Sequence, residues 1–290
     1  MTLRLYADPA AFLTAARPLL GADPVGTTII GSSLQEHVAG EAPTEGTDAP
    51  WFATSSTPAG QVQGLAMRSG RYHPVLHHLD PAEAAALADV ILTSVEAPSG
   101  AAGEEPAARA FADRLAARVG GRVEVERRTR LHRLAELTPP ATVRGRPRPM
   151  AADDLDLVTE WVLAFVDEIG NAAADEQTRA QQRTAQREML IRRAPHTWLW
   201  VDDGDTPVSM AATRPPAFGV ARIGPVYTPP DQRGHGYAAA VTAQVSAIVR
   251  AAGSDVVLFT DLDNPTSNGV YARIGYVPVE DRIILQVVDG

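Results

Sequence analysis

The chain has 290 residues, 45% of them hydrophobic, enough for one large core or two ordinary ones. A formal net charge of −9 disfavours nucleic acid as a partner and is compatible with a cationic amine substrate, as it is with any soluble acidic protein. The absence of cysteine excludes disulfides, zinc-thiolate sites and thiol nucleophiles, and because all 26 basic residues are arginine there is no P-loop lysine and no Schiff base.

Taken in chain order, residues 1–35 read as helix with breaks, with Phe12, Leu13, Leu19 and Leu20 as core candidates. The first six residues lack the continuous apolar region of a signal peptide, and no apolar run approaches membrane-spanning length, so a cytoplasmic protein is expected. Residues 35–50, rich in Gly, Pro, Thr and Glu, read as a surface loop. Two short strands follow, at 51–54 and 62–68, joined by a turn at Pro58-Ala59-Gly60. Asp80-Pro81 opens an alanine-rich helix to about Leu92, with Asp80 as N-cap. A loop with Gly100 and Gly103 leads to a helix over 107–119 and a strand pair from 123 to 137. Prolines between Thr138 and Pro149 mark a linker, and two domains are expected at 1–141 and 142–290.

The second half opens with a strand at 143–150 and a helix from Asp153-Asp154 whose face carries Leu157, Trp161, Leu163 and Phe165. A helix over 175–193 and a hairpin of strands 197–201 and 208–213 come next. The strand Val220-Ala221-Arg222-Ile223-Gly224-Pro225-Val226-Tyr227 ends at Thr228-Pro229-Pro230-Asp231. Beyond it, Val241, Val245, Ile248, Val249 and Ala252 share one helix face before Gly253. A strand at 256–260, a short helix after Pro265 and a closing strand at 283–288 complete the chain.

Between the 220s strand and its helix lies Arg233-Gly234-His235-Gly236-Tyr237-Ala238. Glycines there let the backbone approach a ligand, and amides converging on a helix N-terminus favour an anion such as a pyrophosphate. Gly234-His235-Gly236-Tyr237-Ala238-Ala239 satisfies the dinucleotide pattern G-x-G-x-x-A, with Asp255 where a ribose-binding acid is sought. That turn, however, lies late in the chain, and Asp255 precedes its strand rather than ending it.

The same stretch resembles the GNAT N-acetyltransferases, whose signature Q/R-x-x-G-x-G/A appears as Arg233, Gly236 and Ala238. The pattern N-x-x-S-x-x-x-Y-x-x-x-G-[FY], which often follows in that family, appears as Asn264, Ser267, Tyr271, Gly275 and Tyr276. The resemblance covers roughly residues 146–288 and implies an α/β (α+β) acyl-CoA N-acyltransferase fold, a mixed and mostly antiparallel sheet flanked by helices. It also implies acetyl-coenzyme A as co-substrate and an acetyltransferase acting on a small-molecule or peptide amine by direct attack in a ternary complex. The alternative is a non-catalytic acyl-coenzyme A binding protein of the same fold. A monomer or homodimer is expected, without nucleic acid or membrane, and an acyl chain longer than acetyl stays open.

Within the chain, Val62-Gln63-Gly64-Leu65-Ala66-Met67-Arg68 and Val208-Ser209-Met210-Ala211-Ala212-Thr213-Arg214 each follow a Trp-containing strand and a turn, with their arginines 146 positions apart. The chain thus looks like two tandem copies. At that offset Leu87 falls opposite Arg233 and Arg118 opposite Asn264, so the first copy is expected to be degenerate and to bind no coenzyme.

By the resemblance, the pyrophosphate lies on the amides of Arg233, Gly234, His235, Gly236, Tyr237 and Ala238, with the Arg233 side chain adding charge. The N–H of Val226 points at the thioester oxygen, and Tyr271 protonates the departing thiolate. A packing tyrosine is the plainer reading of Tyr271. Asn264, Ser267 and Asn268 hydrogen-bond the pantetheine, although Ser267 can equally cap its helix, and His235 reads as solvent-facing. Asp167 and Glu168 end a helix where the family builds its acceptor pocket, and can attract an amine or serve as surface charge. No metal is expected: His73, His77 and His78 have no carboxylate at ligand spacing.

Overall fold

The computed structural model describes residues 2–42, 49–70, 72–94, 98–170 and 175–290. In chain order the elements are β1 (Thr2–Tyr6), α1 (Pro9–Ala22), α2 (Thr28–Val38), β2 (Trp51–Ser56), β3 (Val62–Arg68), β4 (Val75–His77), α3 (Pro81–Ser94), β5 (Gly100–Gly103), α4 (Glu105–Val119) and β6 (Gly121–Leu134). They continue with β7 (Arg146–Pro149), α5 (Leu155–Glu168), α6 (Glu176–Arg193), β8 (Thr197–Val201), β9 (Pro207–Thr213), β10 (Val220–Tyr227), α7 (Tyr237–Ala251), β11 (Asp255–Asp261), α8 (Pro265–Arg273) and β12 (Tyr276–Asp289). Among the described residues no helix is long and apolar enough to cross a membrane.

The chain divides into two compact units. The first is Met1–Leu131 with Phe259–Asn264 and Pro278–Gly290, and the second is His132–Leu258 with Pro265–Val277. The contiguous halves 1–141 and 142–290 are therefore not the compact units, because the chain's last strand belongs mostly to the first unit and residues 132–141 belong to the second.

In the first unit the strand order is β1-β2-β3-β4-β5-β12-β6. Pairing is antiparallel from β1 to β4, parallel between β4 and β5, and antiparallel between β5 and β12. Its core joins Leu76, Leu87, Ile91, Phe111, Leu115, Ile283 and Leu285. Residues 2–6 form a strand rather than helix, because Leu3 and Leu5 alternate with Arg4 and Tyr6 and pack on that core. The stretch 100–103, expected as loop, is β5. Its glycines are required there, since a Cβ on Gly100 would lie 2.0 Å from the Leu285 oxygen and one on Gly103 2.3 Å from the Leu76 oxygen. The stretch 121–134, read as part of a strand pair, is one strand. The turn reading at 35–50 is also adjusted, because α2 runs to Val38; residues 43–48 lie outside the described residues.

Helix α3 begins as its sequence predicts. Asp80 accepts from the Glu83 amide at 2.8 Å, and the Glu83 carboxylate accepts from the Asp80 amide at 3.0 Å, which together make a capping box. Glu83 is 1% exposed and also accepts from Ser55 at 2.5 Å and Gln63 at 2.7 Å, so a buried carboxylate ties β2 and β3 to the helix start.

In the second unit the order is β11-β10-β9-β8-β7, with the tail of β6 beside β11. Pairing is antiparallel from β7 to β10 and parallel between β10 and β11. The Arg-Pro-Arg-Pro sequence of β7 suits an edge, where prolines need not donate to a ladder. On α7, Val241 and Val245 enter the core with Ile223, Val256, Leu258 and Tyr276, whereas Ala252 is exposed. On α5, Trp161 and Leu163 are buried, and Leu157 faces solvent.

The two runs, β1 to β6 and β7 to β12, follow the same order: strand, two helices, three strands, helix, strand, helix, long strand. They also share three antiparallel pairings followed by one parallel pairing. The internal repeat is thus a repeat of topology, but its offset is not constant. Helices α3 and α7 start 156 positions apart, so Leu87 lies mid-helix in α3 and is not the counterpart of Arg233. Helices α4 and α8 start 160 apart, which makes Glu104, and not Arg118, the counterpart of Asn264.

Glu83→Ala strips the acceptor from three donors in a buried place. It is expected to lower stability by about 3 kcal/mol, read as an earlier urea unfolding midpoint by circular dichroism. An unshifted midpoint would refute the anchoring role.

Candidate active site

Strands β10 and β11 run parallel, paired from Val220 with Asp255 to Ile223 with Leu258. Gly224-Pro225 then interrupts the ladder. The register of β10 against β9 shifts between Ile223 and Val226, and resumes with Val226 opposite Ala211 and Tyr227 opposite Met210. Pro225 has no N–H to donate, so the break is written into the sequence. Val226 is half-buried just past the break and packs on the second unit's core.

The chain leaves β10 through Thr228-Pro229, makes a short turn at Pro230–Gln232, and enters α7 through two glycines. Gly234 and Gly236 both have φ of 82°, the left-handed region open to glycine at little cost. A Cβ on Gly236 would also come within 3.3 Å of a Val143 methyl. The first α-helical bond runs from the Ala240 amide to the Gly236 oxygen at 3.0 Å, and no side chain among the described residues caps Gly236. The amides of the first turn therefore face outward at the positive end of a 15-residue helix. A diphosphate fits this cradle on both counts, amide donors and absent Cβ atoms.

Arg233 is held rather than free. Its Nη2 donates to Glu168 Oε1 at 2.6 Å and its Nε to the Thr228 oxygen at 2.9 Å, while the guanidinium lies 5.9 Å from the centre of the Tyr227 ring. The structure thus brings together two expected residues, the phosphate-side Arg233 and the acceptor-side Glu168. Asp167 accepts from Arg179 at 2.6 Å. His235 is exposed, as expected, and its ring stacks on Tyr237 at 5.5 Å between centroids.

Tyr271 is 8% exposed on α8, edge-on to Tyr276 at 6.0 Å. Burial pushes its pKa up to about 12, opposed by the Thr242 hydroxyl. That contact is weak, since the Thr242 Oγ1 is buried without a hydrogen bond of full geometry. Tyr276 is raised further, first by burial, and its hydroxyl bonds Ser246 at 2.7 Å. Ser267 and Asn268 lie half-buried on the first turn of α8. Asn264 is exposed, directly before Pro265, and falls among the residues of the first unit. Sequence reasoning missed Thr242 and Tyr227. Thr242 sits six residues past Gly236 but belongs to no motif. Tyr227 is buried against Trp161 at 6.2 Å, and a tyrosine ending a strand before Thr-Pro-Pro was its only signal.

Because folding raises the Tyr271 pKa above its unfolded value near 10, folding favours the protonated phenol. That stability is complete below about pH 10 and is lost as pH climbs through 12, up to about 3 kcal/mol. Denaturation from about pH 8 to 12 is expected to show this alkaline loss, and Tyr271→Phe to flatten it; an unaltered limb would contradict the burial of the phenol.

Comparison with known proteins is consistent with this geometry. Residues 159–276 match the model of the acetyltransferase (GNAT) family. No curated protein matches the sequence. Among solved structures, the chain is similar to a GNAT acetyltransferase from Colwellia psychrerythraea, with 12% identity, TM-score 0.57 and 99% of each chain covered. It is similar also to a GCN5-related N-acetyltransferase from Sphaerobacter thermophilus, with 18% identity, TM-score 0.60 and 99% of this chain and 95% of that one covered. A tandem GNAT protein from the clavulanic acid biosynthesis pathway aligns at 14% identity and TM-score 0.55 over 99% of this chain and 98% of its own. At these identities the likeness is one of fold, and it extends along the whole chain. The chain therefore carries an acetyltransferase domain of the GNAT family over residues 159–276.

Proposed function

We propose that the second unit transfers an acetyl group from acetyl-coenzyme A to a primary amine of a small molecule or peptide, by direct attack while both are bound. The observation that carries this reading is the uncapped start of α7 behind two left-handed glycines, beside a parallel strand pair that breaks at Gly224-Pro225. The amides of residues 233–238 hold the pyrophosphate, and the Arg233 side chain, fixed by Glu168 and Thr228, adds positive charge at the rim. Past the break, the Val226 N–H is the donor to the thioester oxygen, stabilising the charge that develops there as the amine attacks.

Tyr271 supplies the proton. With a pKa of about 12 it is fully protonated at neutral pH and hands its proton to the thiolate as that group leaves. Ser267 and Asn268, at the start of the same helix, hydrogen-bond the pantetheine arm. At the end of α5, Arg233 takes Oε1 of Glu168 and leaves Oε2 for a cationic amine, while Arg179 holds Asp167. The amine loses one proton to water before it attacks and a second as the amide forms, and water returns a proton to Tyr271.

Incubation with acetyl-coenzyme A and a library of amines, followed by free thiol, tests the reading directly. Thiol release with at least one amine is expected; none with any amine would favour a coenzyme-binding protein without turnover. Tyr271→Phe is expected to lower kcat by about ten- to a thousandfold with coenzyme affinity nearly unchanged, and full turnover would reduce Tyr271 to a packing residue. Gly236→Val, which meets both the left-handed backbone and Val143, is expected to raise the coenzyme Kd by about tenfold or more. An unchanged Kd by calorimetry would remove the cradle from the binding site.

A further inference from the structure

The first unit carries a second constellation of polar groups, unrelated to the acetyl-transfer reading. A strand sends successive side chains to opposite faces, but His78, just past the end of β4, has a left-handed φ of 53°. The rings of His77 and His78 therefore lie side by side, 4.0 Å between centroids. The His77 side chain is 1% exposed, and neither ring nitrogen has a hydrogen bond of full geometry among the described residues.

Two carboxylates from elsewhere in the chain flank these rings. Asp23 Oδ2 lies 3.3 Å from His77 Nε2 and 3.7 Å from His78 Nε2, and Glu104 Oε1 lies 3.4 Å from His77 Nδ1 and 3.8 Å from His78 Nδ1. The other oxygen of each is pinned by a backbone amide: Asp23 Oδ1 accepts from Gly26 at 2.9 Å, and Glu104 Oε2 from His78 at 3.0 Å. Position 26 must be glycine for this, since a Cβ would fall 2.2 Å from Asp23 Oδ2 and 2.9 Å from His77 Cε1. The sequence shows no carboxylate at ligand spacing from the histidines; those that flank them come from 54 positions before His77 and 26 after His78.

We propose that Asp23 Oδ2, His77 Nε2 and His78 Nε2 bind one divalent first-row transition ion of the zinc type, with Glu104 as the carboxylate that orients the imidazoles through their Nδ1 side. Two ligands on a tetrahedral ion at about 2.0–2.2 Å stand roughly 3.3–3.5 Å apart, which the Asp23 to His77 separation meets and the Asp23 to His78 separation nearly meets. A ligating histidine ordinarily gives its other N–H to a carboxylate, and Glu104 stands where that partner belongs. The Arg282 charge is engaged by the Gly26 oxygen and by Glu280, which leaves the carboxylates of Asp23 and Glu104 in excess. Asp23 and His78 are 36% and 52% exposed, which gives an ion a way in and an open fourth position.

The location has a counterpart in the second unit. His77 and His78 precede α3 as the glycine loop precedes α7, Asp23 ends α1 as Glu168 ends α5, and Glu104 precedes α4 as Asn264 precedes α8. The same end of the repeated fold is used for a different ligand.

The full chain, stripped with EDTA and titrated at neutral pH with Zn²⁺ alone by calorimetry and with Co²⁺ alone by visible absorption, is expected to take up one equivalent of either ion. Asp23→Asn and His78→Asn, the second chosen because asparagine tolerates a left-handed backbone, are each expected to weaken Zn²⁺ binding at least tenfold while circular dichroism stays native. Absence of stoichiometric binding in the parent chain, or less than a tenfold loss in either folded variant, overturns the proposal.

Discussion

Each unit contains one parallel pair beside a run of three antiparallel pairings, and the rest of each unit follows from it. Two parallel neighbours cannot be joined by a tight turn; the chain must cross over, and here it does so through a helix. The crossover sets the N-terminus of α7 at the C-terminal end of β10, and that of α3 at the end of β4. Brought to the ends of the strands, the bare amides of a helix N-terminus become a place for an anion. In the second unit Gly224-Pro225 adds a break in the ladder at the same end. The site is thus largely a property of connectivity, with side chains adding detail.

Both units stabilise that end with charge, by different means. In the second, the guanidinium of Arg233 bridges the loop to the last residue of α5 through Glu168. In the first, two imidazoles occupy the corresponding segment and meet carboxylates from the end of α1 and the start of α4. A chain without lysine makes its ion pairs with a planar, always charged fork, and many are two-pronged, as between Arg148 and Asp154 at 2.5 and 2.8 Å.

Much of the fold was legible where its signals are local. The glycines at 234 and 236, the apolar face of α7, the proline at 225 and the Asp80 cap of α3 each act within a few residues of themselves. What escaped was non-local. β5 looks like a loop until Leu285 is seen to press against Gly100, nearly two hundred residues away in sequence. The pairing of Arg233 with Glu168 and of His77 with Asp23 depends on helix ends meeting loops, which no periodicity reports. The constant offset assumed for the repeat failed because β10 is eight residues long against three in β4, and because nine residues lead from β10 to α7 against three from β4 to α3. Only β1 was a plain misreading, since Leu3 and Leu5 alternate as strand residues do.

The place of β12 in the first unit bears on how the chain assembles. Ile283 and Leu285 of β12 are both fully buried in the first unit's core, and Gly100 and Ala101 pair with that strand. During synthesis, therefore, the amino-terminal unit cannot close when its own segment leaves the ribosome. It waits, with a sheet edge open beside β5, until β12 has been made. The usual order, in which the first-made domain folds first, is upset by one strand, and β12 acts as a latch.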